Sequence, residues 1–196
     1  MARPTLALLS LILSLAYVAT MADLASSTNF IKASCAKSPY PEECVQALSS
    51  QRNTIHTQEE LAQAVLSTCL SKLDSTKSDM LKMTTLRGLR PNEYGTLKVC
   101  LDEIEDSVSG LSHSVQELNE TGVTKDDDFS FHKMNVVTWV DRLLSGLKIC
   151  GGEFGGRALG DNIKGVTESQ ITNLIHLTEN AMEIITHLES HDGPSQ

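Results

Sequence analysis

The chain has 196 residues, is 40% apolar but only 4% aromatic, and carries a formal charge of −9 at neutral pH. That length suits one domain with a substantial core. The acidic balance excludes the basic patches that nucleic-acid binding requires, while it suits a basic protein partner. Residues 1–22 form a secretion leader: Arg3 gives the positive start, Leu6–Val18 is uncharged and apolar, and Thr20-Met21-Ala22 ends on a small cleavable residue. The apolar run is short, and no later stretch approaches the ~18 continuous apolar residues of a membrane span. The expected mature chain therefore starts near Asp23, is extracellular, and carries one positive charge fewer.

Five cysteines follow, at 35, 44, 69, 100 and 150. In a secreted chain they are read first as disulfides, and the odd count leaves one over. Cys35 and Cys44 flank Ala36-Lys37-Ser38-Pro39-Tyr40-Pro41-Glu42-Glu43, with no close histidine and without the short spacing of a zinc site or a redox C-x-x-C. A structural staple is the remaining reading. Around it, a short helix fits Thr28–Lys37, and a second can start at Pro41, a favourable first-turn residue.

From there the hydrophobic period is helical. Thr57-Gln58-Glu59-Glu60 is a capping box opening a helix to about Thr84, with Leu61, Val65, Cys69 and Leu73 along its seam. After Gly88 and Pro91, a helix to about Asn119 carries Leu97, Leu101, Ile104, Val108, Leu111, Val115 and Leu118, the alternating four-three step of a bundle seam. Asp126–Asp128 suits a helix N-terminus, and the remaining ligands of a calcium loop are missing. A third long helix shows Val136, Val140, Leu143, Leu147 and Cys150, and the glycines of 151–160 are expected to end it. Thr167-Glu168-Ser169-Gln170 reads as a second capping box, opening a helix with Ile171, Leu174, Ile175, Met182, Ile185 and Leu188. The expected fold is all-α: an up-down-up-down four-helix bundle over 57–190, an N-terminal helical hairpin over 23–56, and a tail at 191–196.

An antiparallel mirror ranks the other cysteines. If the second and third long helices turn near residue 123, position 150 falls opposite about 97, three residues or ~4.5 Å of rise from Cys100. Cys69 falls seven residues, or ~10 Å, from Cys100 by the same construction, too far for a disulfide. The expected pairs are Cys35–Cys44 and Cys100–Cys150, with Cys69 a buried free thiol.

Chemistry-bearing motifs are scarce. Gly151–Ala158 lacks the Lys-Ser/Thr of a phosphate loop and does not follow a strand. His187 and His191 share one helix face at i, i+4, but no third ligand accompanies them and both suit a helix C-terminus. No nucleophile elbow is present, so neither catalysis nor a metal or cofactor is expected. Asn119-Glu120-Thr121 is an N-glycosylation acceptor placed at a helix end, in an expected loop.

Several segments together resemble the plant invertase and pectin methylesterase inhibitor family. These are Phe30-Ile31-x₃-Cys35-x₃-Pro39-Tyr40-Pro41-x₂-Cys44-x₃-Leu48, Leu97-Lys98-Val99-Cys100-Leu101-Asp102-Glu103 followed by Val108-x₂-Leu111, Val137-Thr138-Trp139-Val140 leading to Cys150-x₃-Phe154, and Glu179-Asn180-Ala181-Met182-Glu183-Ile184-Ile185. The resemblance implies a stapled hairpin before a four-helix bundle, a second disulfide matching Cys100–Cys150, and a secreted non-catalytic protein of the apoplast or cell wall, with the vacuole as the lesser alternative. Such proteins cover the substrate cleft of pectin methylesterase or of acid invertase, one to one, with a face of the bundle. Two features depart from the family pattern. Asp141-Arg142-Leu143-Leu144-Ser145 replaces a small-residue segment, and Ile149 stands where esterase inhibitors commonly carry threonine near the enzyme contact. A Pro-Lys-Phe element associated with invertase recognition is missing.

The expected partner is pectin methylesterase, with acid invertase as the alternative and a non-inhibitory secreted helical binding module as the third reading. Asp102, Asp106, Asp141 and Lys148 are candidate contacts because they lie off the apolar seams, and Ile149 joins them by its position. A monomer is expected, with Cys69 the available route to a dimer.

Overall fold

The computed structural model describes residues 24–121, 126–156 and 160–188. The expected leader and expected start of the mature chain, His191 and the 191–196 tail lie outside the described residues. Six α-helices follow one another: α1 (24–35), α2 (Pro41–Leu48), α3 (Gln58–Thr84), α4 (Pro91–Thr121), α5 (Asp126–Gly156) and α6 (Asp161–Thr186), with a 3₁₀ turn at Ser49–Thr54 between α2 and α3. Neighbours in contact are α3–α4, α4–α5, α5–α6 and α3–α6, which closes a four-helix ring; α2 lies against α3 and α6. The architecture is all-helical, and no strand occurs among the described residues.

Local chemistry sets the helix ends. The Thr57 hydroxyl accepts from Glu60 N, and the Glu60 carboxylate accepts from Thr57 N in return, completing the capping box of α3. Pro41 and Pro91 each begin a helix where no intrahelical donor is lost. Gly88 sits at φ +86° in the turn before α4, a conformation that a side chain would strain.

The core is a continuous stack, and its longest contributions are Leu61, Leu73 and Met80 of α3, Leu97, Ile104 and Leu111 of α4, Leu143, Leu147 and Phe154 of α5, and Ile171 and Ile185 of α6. Val108 and Val115 are only half-buried, while Ser107, Gly110 and Ser114 take the inward positions. A straight helix drifts about 20° per heptad against a strict seven-residue repeat, so the buried stripe slides sideways along α4. The inward hydroxyls stay satisfied on the carbonyls of Glu103 and Gly110.

Three expected boundaries move. The first helix begins at residue 24 and ends at 35, where Cys35 is fully buried. The third long helix passes through Gly151 and Gly152 to Gly156, because Phe154, 0% exposed, draws another turn onto the core. The fourth begins at Asp161, six residues before the expected cap. Thr167 lies inside it, fully buried with its hydroxyl 3.4 Å from Met83 Sδ, and Ile163 extends the apolar stripe N-terminally. Asn119 lies in the last turn of α4, not in a loop.

The start of α6 is tied down by Glu93, which is 5% exposed. Its carboxylate accepts from Arg90 N at 2.7 Å, from Arg90 Nη2 at 2.7 Å and from Gly160 N at 2.9 Å. The Arg90 side-chain bond, followed by the two backbone donors, lowers its pKa to about 2. An unfolded glutamate titrates near about 4.3, so the stabilisation is complete above that pH and is lost as pH falls towards about 2. Urea unfolding of Glu93→Gln is expected to show lower stability at pH 7 and a shallower acid loss than the parent. An identical pH profile would remove Glu93 from this role.

Candidate interaction surface

The antiparallel register of α4 on α5 places every candidate side chain. Cys100 is bonded to Cys150 with 4.9 Å between Cα atoms, and Cys35 to Cys44 with 5.7 Å; Cys69 is free and buried. Stepping from the Cys100–Cys150 bond towards the turn, Glu103 lies against Gly146, Asp106 against Arg142, Gly110 against Trp139 and Glu117 against His132.

At two of these contacts a glycine stands where a Cβ would crowd the facing side chain, severely at Gly110 and only against the movable end of Glu103 at Gly146. A Cβ on Gly110 would lie 2.2 Å from Trp139 Cε3, and one on Gly146 would lie 2.8 Å from Glu103 Oε2. Gly110 therefore lets the Trp139 indole pack closely against α4. Arg142 covers the same ring with its guanidinium carbon 5.8 Å from the centroid, a cation–π arrangement. The Arg142 guanidinium also reaches Asp106 at 4.0 Å, and His113 approaches Trp139 with ring centroids 6.4 Å apart. Outward along α5 run Phe131 and Met134, about 60% exposed, and Ile149, 53% exposed.

The sequence-selected residues divide between two sides of α5. Asp102 and Asp106 lie one turn apart on α4, both exposed, with Asp102 paired to Lys98 and Asp106 to Arg142. The Asp102 hydrogen bond raises the Lys98 amine above its usual range. Ile149, seven residues beyond Arg142, continues this α4–α5 face. Lys148 instead turns towards α6, where it pairs with Glu179 at 2.9 Å and holds that carboxyl below its usual range. Asp141, exposed and seven residues before Lys148, shares its side of α5.

Sequence reasoning passed over Gly110, His113 and Arg142, and used Trp139 only as part of a motif. Their relation is set across helices, and only the pairing of a tryptophan with a facing glycine could have signalled it. It also passed over Lys133, whose ammonium donates to the carbonyls of Thr186 at 2.7 Å and Leu188 at 2.6 Å, closing the end of α6. His187, expected as one of a histidine pair, is engaged by the Glu183 carbonyl at 2.9 Å. No group of three metal-ligating side chains occurs among the described residues, and among them no helix is long and apolar enough to cross a membrane.

The α4–α5 face thus forms a rigid, outward-facing strip: an aromatic–guanidinium centre, apolar side chains along the flank, and carboxylates beside it. A groove of about 760 Å³ lies elsewhere, between the hairpin, the start of α3 and the end of α6, lined in part by Phe30, Lys37, His56, Glu59, Glu183 and His187.

The protein is thus a four-helix bundle stapled by two disulfides, with an exposed aromatic–guanidinium centre on its α4–α5 face. Residues 29–184 match the profile of the plant invertase/pectin methylesterase inhibitor family, and the chain belongs to that family. It is 33% identical over 159 residues to pectinesterase inhibitor 11 of Arabidopsis thaliana, covering 80% of this chain and 79% of that one. It is 30% identical over 175 residues to a 21 kDa protein of Daucus carota, covering 89% and 91%. The fold matches the crystal structure of a mutant form of a pectin methylesterase inhibitor from Arabidopsis, with TM-score 0.65 at 17% identity over 79% of this chain and 94% of that one.

Proposed function

We propose that the protein is a secreted inhibitor of pectin methylesterase that occludes the enzyme's substrate cleft as a one-to-one complex, using the α4–α5 face. Family membership and relatives named as pectinesterase inhibitors support the target. The observation that carries the choice of face is Trp139, packed on Gly110 and covered by Arg142, because interface energy concentrates in rigid aromatic and arginine anchors. Asp102, Asp106 and Ile149 flank that centre; Asp141 and Lys148 extend the contact towards α6. The acidic charge of the chain favours encounter with a basic enzyme.

The mature chain titrated against plant pectin methylesterases should inhibit stoichiometrically, whereas a parallel titration against acid invertase should leave sucrose hydrolysis unchanged. Arg142→Glu and Ile149→Asp, both at exposed positions, should each weaken inhibition by at least about tenfold with little change in melting temperature. Failure to inhibit any of several esterase isoforms would end this reading, and inhibition of invertase alone would redirect it.

A further inference from the structure

The N-terminal hairpin meets α6 through a small polar cluster that the contact surface does not use. His176 of α6 lies flat on Tyr40, with ring centroids 3.6 Å apart and 13° between planes. Its Nδ1 is 3.0 Å from both carboxylate oxygens of Glu43 on α2. Tyr40 belongs to the Pro-Tyr-Pro turn between the stapled cysteines, so this one imidazole touches the turn and the following helix of the hairpin together.

We propose that protonation of His176 clamps the hairpin to the bundle, making hairpin docking stronger in acidic than in alkaline medium. Histidine is the side chain whose charge changes between about pH 5 and 8. As an imidazolium, His176 offers Glu43 a charge-assisted hydrogen bond and presents a cation to the Tyr40 ring. A neutral ring keeps only the stacking and at most an ordinary hydrogen bond.

Other charged groups around the cluster do not reverse this. Glu179 lies one turn along α6 on the same side and favours the cation; Lys148 of α5 opposes it but is engaged by Glu179 at 2.9 Å. Lys72 of α3 lines the groove that Glu43 borders. His56 touches the hairpin through the Ser27 hydroxyl at 3.1 Å, and His187, paired with Glu183, lines the groove beside it; both are competing sources of a pH response. The proposal stands apart from the identity of the enzyme bound.

Amide hydrogen exchange of the full mature chain, corrected for intrinsic rates, tests it at pH 5.5 and 7.5. Protection over residues 24–48 is expected to be about two- to fivefold greater at the lower pH, the range of a partly exposed ion pair, while amides in the middle of α4 and α5 serve as the folded reference. His176→Gln and Glu43→Gln should each bring that ratio to one and leave the reference amides protected. A ratio of one in the parent overturns the proposal. So does a ratio that persists in both variants, which would assign the response to other groups at the hairpin, His56 or His187.

Discussion

Replacing Cys100 and Cys150 together by alanine is expected to lower the unfolding free energy by about 3–4 kcal/mol, measured by urea denaturation without reductant. The bond joins positions 50 apart in sequence, so it removes much of the freedom of the unfolded chain. Both sulfurs are fully buried between α4 and α5, and their loss also leaves underpacked space at the centre of that interface. The Cys35–Cys44 loop spans only nine positions, and the same entropy argument gives it a smaller contribution of about 2.5 kcal/mol. A double variant with an unchanged urea midpoint would mean that α4 and α5 hold their register by packing alone. Cys69 does not substitute as a crosslink: it is 1% exposed, and burial pushes its thiol up to about 12. A thiol so buried and so largely protonated is a poor partner for a cysteine of a second folded copy.

Asn180→Ala is expected to cost about 2–3 kcal/mol and lower the melting temperature by about 5–10 °C. Asn180 is 0% exposed. Its carbonyl accepts from Tyr40 N at 2.9 Å and its amide donates to Tyr40 O at 3.0 Å, so one side chain pairs both backbone groups of the turn. Alanine would strand both, and a buried group left without its partner costs more than the bond is worth in water. Asn180→Asp is expected to be worse at neutral pH, because a carboxylate would face the Tyr40 carbonyl without a proton to share. Thermal unfolding of the two variants beside the parent tests the ranking, and an Asp variant as stable as the parent would contradict it.

The helices were legible because their causes are local. The four-three spacing of α4 and α5, the Thr57 capping box and the prolines at 41 and 91 are read from neighbours within one or two turns. The mirror argument worked for Cys100 and Cys150 because an antiparallel hairpin ties sequence distance to height along the bundle. Local rules misplaced the ends of α5 and α6 for one reason. Glycines at 151 and 152 suggest termination and Thr167 suggests a cap, but burial of Phe154, Ile163 and Thr167 outweighs those preferences. Such burial exists only once the other helices are in place.

The proposed contact surface was legible in part. Exposure of Asp102, Asp106, Asp141, Lys148 and Ile149 followed from their positions off the seam. Their grouping did not, because Lys148 turns to Glu179 on α6 while Asp106 turns to Arg142 on α5. The sequence by itself determined an acidic, helical, stapled chain, since charge, period and cysteine spacing are properties of the covalent chain. The tertiary structure alone decided that Trp139 rests on Gly110, that Glu93 holds Gly160, and that Asn180 and His176 grip Tyr40. Each of those contacts joins residues from 29 to 140 positions apart, and their geometry depends on helix register, which no short stretch of sequence specifies.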